Sequence, residues 1–235
     1  MISRSRPADA ADADAALLPL MLWLSPAFPV GSFAYSQGLE WVVENGDMHD
    51  ARSLGGWLVE LLTFGAPRAD AILFAECFRA AEAEDWKGLA EANAFAIALA
   101  NSAERRLETT AQGRAFVVAA CAAWDCEPLR QLSLAERVAY PAAVASAAAG
   151  HGLPLEASLQ AFILAQIAAA VSAVVRLGPI GQTDGQKIQA TLVPRIRVLA
   201  REASGSNLTD LGSCAFRSEI AAMRHETQYS RLFRS

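Results

Sequence analysis

The 235-residue chain lacks most of the patterns that mark an enzyme or a secreted protein. Its four cysteines form no C-x-x-C pair, so we expect reduced thiols in a cytosolic protein rather than a disulfide framework. It has no G-x-x-x-x-G-K-[ST] phosphate loop, no G-x-S-x-G nucleophile elbow and only three histidines. The sequence therefore gives no indication of catalysis or of nucleotide binding by the chain itself.

The chain also carries little charge and no long apolar run. Charged residues make up 19% of it and the net charge is −5, which argues against nucleic acid as the main partner because phosphate binding needs a basic face. The apolar run at residues 17–24 stops at Ser25-Pro26, and we expect no run of the roughly 18 to 20 residues that span a bilayer. From Arg195 onward the chain contains seven arginines and four acidic residues, so the net charge of this end is +3 and that of the rest is −8. A basic end favours an acidic protein partner.

What the sequence does contain is helical pattern from residue 17 onward. Hydrophobic residues make up 53% of the chain, and alanine, the strongest helix former, supplies much of that fraction. Asp50, Asp85 and Ser102 each precede apolar residues at three-and-four spacing and are predicted to cap helices. No linker divides the chain, so we predict one all-α domain over residues 17–235, a bundle of roughly eight to ten helices. Residues 1–16, rich in alanine and aspartate, are predicted to form a disordered leader.

Two helices are predicted in more detail. In residues 103–123 the predicted buried stripe is Leu107, Ala111, Ala115 and Val118, and the residues predicted to face water are Glu104, Arg105, Arg106 and Glu108. Residues 154–177 repeat apolar side chains at three and four without a break, with mostly alanine and serine between them. This segment is predicted to be a central helix that other helices surround, ending at Gly178-Pro179.

Residues 25–40 interrupt the helical pattern with two prolines and a glycine. The prolines lack amide donors and disfavour helix before them, so an extended loop is predicted. Ser32 is then predicted to cap the next helix. One interpretation is an ordinary joint between two helices; the other is a contact surface that includes Tyr35 and Glu40.

A glycine-rich turn precedes another helix, which Thr183 or Asp184 is predicted to cap. Gln182 and Gln186 then lie on its first turn, either as solvated side chains or as hydrogen-bonding groups for a partner. Pro194 falls inside the helical pattern that follows and is predicted to kink or break that helix.

Residues 205–235 combine a charged helix with an apolar end. Three arginines recur every seven residues, which by itself is typical of a solvated amphipathic helix: Arg217, Arg224 and Arg231. Leu232 and Phe233 lie between arginines at a terminus, where a mobile chain is the usual state. Apolar anchors flanked by arginine suit a segment that docks onto a partner.

Three stretches together resemble the UreF family of urease accessory proteins. Ser25-Pro-Ala-Phe-Pro-Val-Gly-Ser-Phe-Ala-Tyr-Ser-Gln-Gly-Leu-Glu40 looks like the family's N-terminal signature, and Gly178-Pro-Ile-Gly-Gln-Thr-Asp-Gly-Gln186 is similar to its glutamine-bearing turn. Arg224-His-Glu-Thr-Gln-Tyr-Ser-Arg-Leu-Phe-Arg-Ser235 resembles its C-terminal motif. The stretches occur in the family's order, so the resemblance covers residues 17–235. The chain departs from the family pattern at Val144-Ala145, where an aromatic residue and glycine are more usual, and at Gly178.

The resemblance implies an all-α, homodimeric, cytoplasmic accessory protein without catalytic activity or a stably bound cofactor. Similar proteins bind a UreD/UreH-type accessory protein through the C-terminal region and recruit a UreG-type GTPase, and the complex supports GTP-dependent nickel delivery to apo-urease. Nucleic acid and membrane are not among the implied partners. The resemblance, together with the composition of residues 205–235, predicts partner contacts at these residues: Tyr35, Glu40, Arg176, Gln182, Gln186, Arg224, His225, Arg231, Leu232, Phe233 and Arg234.

His225 is the best candidate ligand for nickel in transit, because imidazole suits Ni²⁺. His225 and Glu226 alone supply too few donors, so a dimer mate or partner would have to supply the others. The alternative from another class is a helical metal- or cofactor-dependent enzyme that uses His225, Glu226 and a cysteine.

Overall fold

The computed structural model describes residues 17–212 and 214–234, and in them it contains eleven α-helices, two 3-10 turns and no strand. Eight of these helices have ten or more residues, so the predicted all-α bundle is confirmed. The leader predicted at residues 1–16 lies outside the described residues. The helices are α1 (Leu18–Trp23), α2 (Leu39–Glu44), α3 (Ala51–Phe64), α4 (Ala66–Glu82), α5 (Trp86–Ala98), α6 (Ala103–Ala123), α7 (Glu127–Ser133), α8 (Tyr140–Gly150), α9 (Leu155–Leu177), α10 (Gln182–Gly205) and α11 (Phe216–His225).

Three of the predicted helix caps are present. Asp50, Asp85 and Ser102 each accept a hydrogen bond from the backbone amide three residues later, at 2.7, 2.9 and 3.0 Å. Each bond satisfies an amide that the first helical turn leaves without a partner. Helices α3, α5 and α6 therefore begin where the sequence predicts.

The cap predicted at Ser32 is wrong. Ser32 begins a single 3-10 turn, Ser32–Ala34, and makes no side-chain capping bond. Helix α2 begins only at Leu39, after Gln37 and Gly38, whose φ angles are +57° and +80°. The chain therefore makes a tight left-handed turn before α2, which the prolines upstream do not reveal.

Helix α10 begins before both of its predicted caps. Its first residue is Gln182, so Thr183 and Asp184 lie inside the first turn and neither one caps it. The Asp184 carboxylate there favours the helix because the amino end of a helix is positive. The helix continues through Pro194 without a break.

Helix α6 is rotated relative to the predicted stripe. Leu107 and Val118, predicted to be buried, are 48% and 59% exposed, whereas Glu104 and Glu108, predicted to face water, are 7% and 3% exposed. Residues four apart form the buried face: Glu104, Glu108, Gln112, Phe116 and Ala120. The spacing rule assigned these acids to solvent because they are charged; the partners of Glu104 lie far away in the sequence, whereas Glu108 pairs with Arg105 three residues before it.

The core lies around α4, α8 and α9. Residues 141–148 of α8 are all buried, and their small side chains let α4 and α6 pack closely against it. Helix α9 contains an 18-residue window of mean hydropathy 1.9 and is long enough to cross a membrane by length and composition, which corrects the expectation that no such run exists. Half of that window is buried inside the protein, as in a core helix.

The predicted C-terminal helix is shorter than its arginine spacing suggests. Helix α11 ends at His225, so Arg217 and Arg224 lie on it while Arg231 lies in the irregular chain beyond. The seven-residue spacing therefore does not form one charged helical stripe.

Candidate functional site

The N-terminal segment of residues 25–40 and residues 226–234, here called the tail, lie against each other. The Arg234 amide donates to the Ala34 carbonyl at 2.8 Å. The amides of Leu232 and Phe233 donate to the Glu40 carboxylate at 2.6 and 2.9 Å. Two of the three stretches that carry the family resemblance are thus joined through hydrogen bonds to the tail backbone.

Glu40 reaches the tail because α2 and α11 approach closely. Gly38 has a φ of +80°, and a Cβ atom at this position would lie 2.6 Å from the Ala222 amide nitrogen in α11. Only glycine fits both the left-handed conformation and this distance. Glu40 then follows in the first turn of α2, 7% exposed, where the helix dipole favours its negative charge.

His225, at the end of α11, is enclosed between two carboxylates. It is 0% exposed, with Nδ1 2.7 Å from Glu104 Oε2 and Nε2 3.1 Å from Glu40 Oε2. Each ring nitrogen therefore lies within hydrogen-bonding distance of a carboxylate oxygen. In this arrangement a carboxylate occupies the position beside each ring nitrogen that a metal ion would need.

His225 also lacks a group of metal ligands around it. Nowhere in residues 17–212 and 214–234 do three or more His, Cys, Asp or Glu residues form a group suited to a metal ion. A metal-binding role for His225 stays a prediction, and it requires the His225 ring to leave Glu40 and Glu104.

Two further tail residues contact the start of α6. Glu226 Oε1 accepts a hydrogen bond from the Ala103 amide at 2.8 Å, and Arg231 Nη1 donates to Glu104 Oε1 at 2.9 Å. Glu226 thus satisfies an amide that the first turn of α6 leaves without a helical partner. His225 thus contacts the carboxylates of both Glu40 and Glu104, and Arg231 contacts the second of them.

The end of α9 completes this surface. The Arg176 guanidinium lies 4.7 Å from the ring centre of Phe33 and 4.4 Å from that of Phe233, within the range of cation–π attraction. Partial burial lowers the pKa of Arg176 without removing its charge. The segment near 25–40, the end of α9 and the tail therefore meet around one arginine.

The predicted partner-contact residues divide into buried and exposed groups. Four of these residues were expected on a contact surface and are instead buried within the chain: Tyr35, Glu40, His225 and Phe233. Each of them packs against the opposite end of the chain or lies beneath it. The others are exposed: Arg176, Gln182, Gln186, Arg224, Arg231, Leu232 and Arg234. Partner binding by any of them stays a prediction. Burial raises the pKa of Tyr35, and the nearby Arg234 charge opposes this effect.

A second ionic cluster lies beneath Gly38. Arg105 Nη2 is 2.5 Å from Asp70 Oδ2, and Arg105 Nη1 is 3.1 Å from Glu108 Oε2. The Gln37 side-chain amide donates to Glu108 Oε1 at 2.9 Å. Burial alone would lower the pKa of Arg105, but the two carboxylates raise it above its ordinary value. Arg105 was predicted to face water and is instead the centre of this cluster, with its side chain 15% exposed.

Sequence reasoning missed Glu104, Glu108, Asp70 and Gln37. The sequence did contain a signal for the two glutamates of α6. They begin a series of residues spaced four apart, and this series continues to the apolar residues Phe116 and Ala120. Residues four apart lie on the same face of a helix, so each member of this series lies close to the next.

Comparison with known proteins gives one family. A UreF family model matches residues 48–193. A urease accessory protein UreF from Xanthobacter autotrophicus (strain Py2) is 54% identical over 227 residues, which cover 96% of this chain and 93% of the relative. Relatives of the same name from Rhodopseudomonas palustris (strain TIE-1) and Bradyrhizobium diazoefficiens are 48% and 45% identical, covering 96% and 100% of this chain and 95% and 100% of their own length.

Proposed function

This chain belongs to the UreF family of urease accessory proteins, and we propose that it acts in urease maturation as a bridging scaffold without catalytic activity of its own. In this proposal a cytoplasmic homodimer binds a UreD/UreH-type accessory protein and a UreG-type GTPase. The assembled complex then inserts nickel into apo-urease in a GTP-dependent step. Nickel is the cargo of the complex and not a resident cofactor of this chain.

The contact between Glu40 and the tail carries the proposal. Because Glu40 holds the amides of Leu232 and Phe233, the tail has a defined position beside Arg176. Protein partners are recognised better by a positioned surface than by a mobile terminus, since less conformational entropy is lost on binding.

Two contact regions follow from exposure and charge. The tail presents Leu232, 68% exposed, between the exposed Arg231 and Arg234, and this pattern suits an acidic partner surface with an apolar pocket. We assign it to the UreD/UreH-type protein. Gln182 and Gln186, exposed at the start of α10, form with Arg176 the region we assign to the GTPase.

No observation favours the alternative of a metal-dependent enzyme. Glu226 accepts an amide of α6, and His225 has both ring nitrogens against carboxylates. Neither side chain is placed to act on a substrate.

Co-purification tests the proposal. A chain that ends at residue 230 keeps His225 and Glu226 but lacks the exposed anchor and its flanking arginines. We expect this chain to retain its helical circular dichroism and to lose the UreD/UreH-type partner, and urease activation in cells to fall. A chain that starts at residue 17 is the control and should keep both partners. Equal recovery of both partners by the truncated and full-length chains would contradict the proposal.

A further inference from the structure

A cavity of about 80 Å³ lies beside Gly38, between α2, α3, α4, the end of α5, the start of α6 and α11. Much of its wall is apolar and comes from Leu39, Trp57, Leu61, Leu73 and Leu99. Concave sites with apolar walls and a few convergent polar groups are the usual form of a ligand pocket.

The charged groups that line this cavity are mostly acidic. They include the carboxylates of Asp70, Glu104, Glu108 and Glu219, while Arg105 is the only basic residue among the lining residues that the structure describes. Glu104 pairs with Arg231 and also contacts His225, and both of these residues lie outside the cavity.

Asp70 and Glu108 therefore share a single guanidinium. Their side chains are 13% and 4% exposed, and both contact Arg105, so this buried cluster holds two negative charges and one positive charge. The Gln166, Gln112 and Gln37 amides donate hydrogen bonds to the two carboxylates but add no charge. A buried charge without a counter-charge is costly, so the cluster favours one more cation beside it.

The nearby arginines that could supply this cation are engaged elsewhere. Arg217 pairs with Glu60 at 3.7 Å and lies 5.3 Å from the ring centre of Trp57. Arg106 donates to the Ala100 carbonyl at 3.4 Å. Neither guanidinium is among the groups that line the cavity.

We propose that this cavity binds a guanidinium or alkylammonium group carried on an apolar stem. The cationic head would complete the charge balance at Asp70 and Glu108, and the leucine and tryptophan walls would cover the stem. The bound cationic group belongs either to an arginine or lysine side chain of a protein partner or to a free amine. A bare metal ion fits less well, because residues 17–212 and 214–234 contain no group of three or more His, Cys, Asp or Glu residues suited to a metal ion.

Titration of the purified full-length chain followed by amide NMR tests the proposal. The probe for a protein side chain is N-acetyl-L-argininamide, and the probe for a free amine is agmatine. The matched neutral control is N-acetyl-L-citrullinamide, which has nearly the same shape as the arginine probe and no charge. We expect both cationic probes to shift the amide resonances of residues around the cavity, Gln37 and Leu39 among them, and the neutral control to leave them unchanged.

Two variants locate the binding site. Glu108→Gln removes one charge at almost constant shape and should weaken binding of the arginine probe by roughly tenfold or more. Glu91→Gln, at an exposed acid on α5, is the charge-matched control and should bind as the unmodified chain does. Ala222→Met fills the cavity from α11 while keeping every charge, so it should abolish binding even if Glu108→Gln fails to fold.

The relative affinities of the probes distinguish the two sources of the cation. Tighter binding of the blocked arginine probe indicates a partner's side chain, and tighter binding of agmatine indicates a free amine; both results support the site. Equal shifts from the arginine and citrulline probes, no shifts from either cation, or unchanged binding by Ala222→Met would overturn it.

Discussion

Glu40 and Phe233 meet through a hydrogen bond of 2.9 Å from the Phe233 amide to a Glu40 carboxylate oxygen. The second carboxylate oxygen accepts the Leu232 amide at 2.6 Å, so a single side chain in α2 fixes two successive peptide units near the end of the chain. The same contact places the Phe233 ring beside Arg176. One buried glutamate thus determines which tail side chains are enclosed and which face outward.

Replacing Glu40 should release the tail. Glu40→Gln removes the negative charge that accepts the two amides and faces His225, and hydrogen bonds to a charged group contribute about 1.5 to 3 kcal/mol each. We expect the amides of Leu232 and Phe233 to exchange hydrogen at least roughly tenfold faster, measured by hydrogen exchange. Glu136→Gln, at a side chain 91% exposed, is the control and should leave exchange unchanged. Unaltered protection in Glu40→Gln would contradict this role.

The two apolar tail residues should behave differently on substitution. Phe233 is 4% exposed, so Phe233→Ala should remove roughly 3 to 5 kcal/mol from the free energy that holds the tail in place. Leu232 is 68% exposed, so Leu232→Ala should change stability by no more than about 0.5 kcal/mol but weaken binding to the UreD/UreH-type partner. Proteolysis of the tail and surface-plasmon binding measure the two effects. Partner affinity that survives Leu232→Ala would remove Leu232 from the interface.

The approach of α2 to α11 should depend on Gly38. Gly38→Ala adds left-handed strain and also an overlap with the Ala222 backbone, which only movement of a helix can relieve. Gly46→Ala is a matched control, because Gly46 has a φ of +82° but open space around it, and it should cost only the strain of about 1 to 3 kcal/mol. Urea denaturation should show a clearly larger loss of unfolding free energy for Gly38→Ala. Equal losses would mean that the close contact is unimportant.

The region assigned to the GTPase can be tested without disturbing the fold. Gln182→Ala changes an exposed side chain and should weaken GTPase recruitment while leaving the melting temperature unchanged. Arg176→Ala should also weaken recruitment, and in addition loses cation–π contacts worth about 0.5 to 1 kcal/mol at an exposed site. Pull-down of the GTPase measures both, with Gln160→Ala, at a partly exposed glutamine on α9, as the control. Normal recruitment by both variants would place the contact elsewhere.

The isolated chain should neither bind nor hydrolyse GTP. Its sequence has no phosphate loop, and a loop of that type supplies the backbone amides that cradle the phosphates. Calorimetric titration with GTP is the measurement, and micromolar affinity for the purified chain would contradict the prediction.

The sequence by itself determined the fold class and the boundaries of several helices. Asp50, Asp85 and Ser102 cap their helices because a cap is a contact between residues three apart, which the sequence displays directly. The family resemblance was also present in the sequence, in three stretches read in order, and the comparisons confirm it. No single stretch, however, predicts that the three meet at one surface.

Only the tertiary structure decided which charged side chains are buried. Glu104 and Glu108 were predicted to face water because a carboxylate is costly to bury unless a partner balances it. Their partners are Arg231, His225 and Arg105, and the first two lie more than 100 residues away in sequence. Local spacing carries no information about such partners, so folding alone sets the orientation of α6, the burial of Phe233 and the exposure of Leu232.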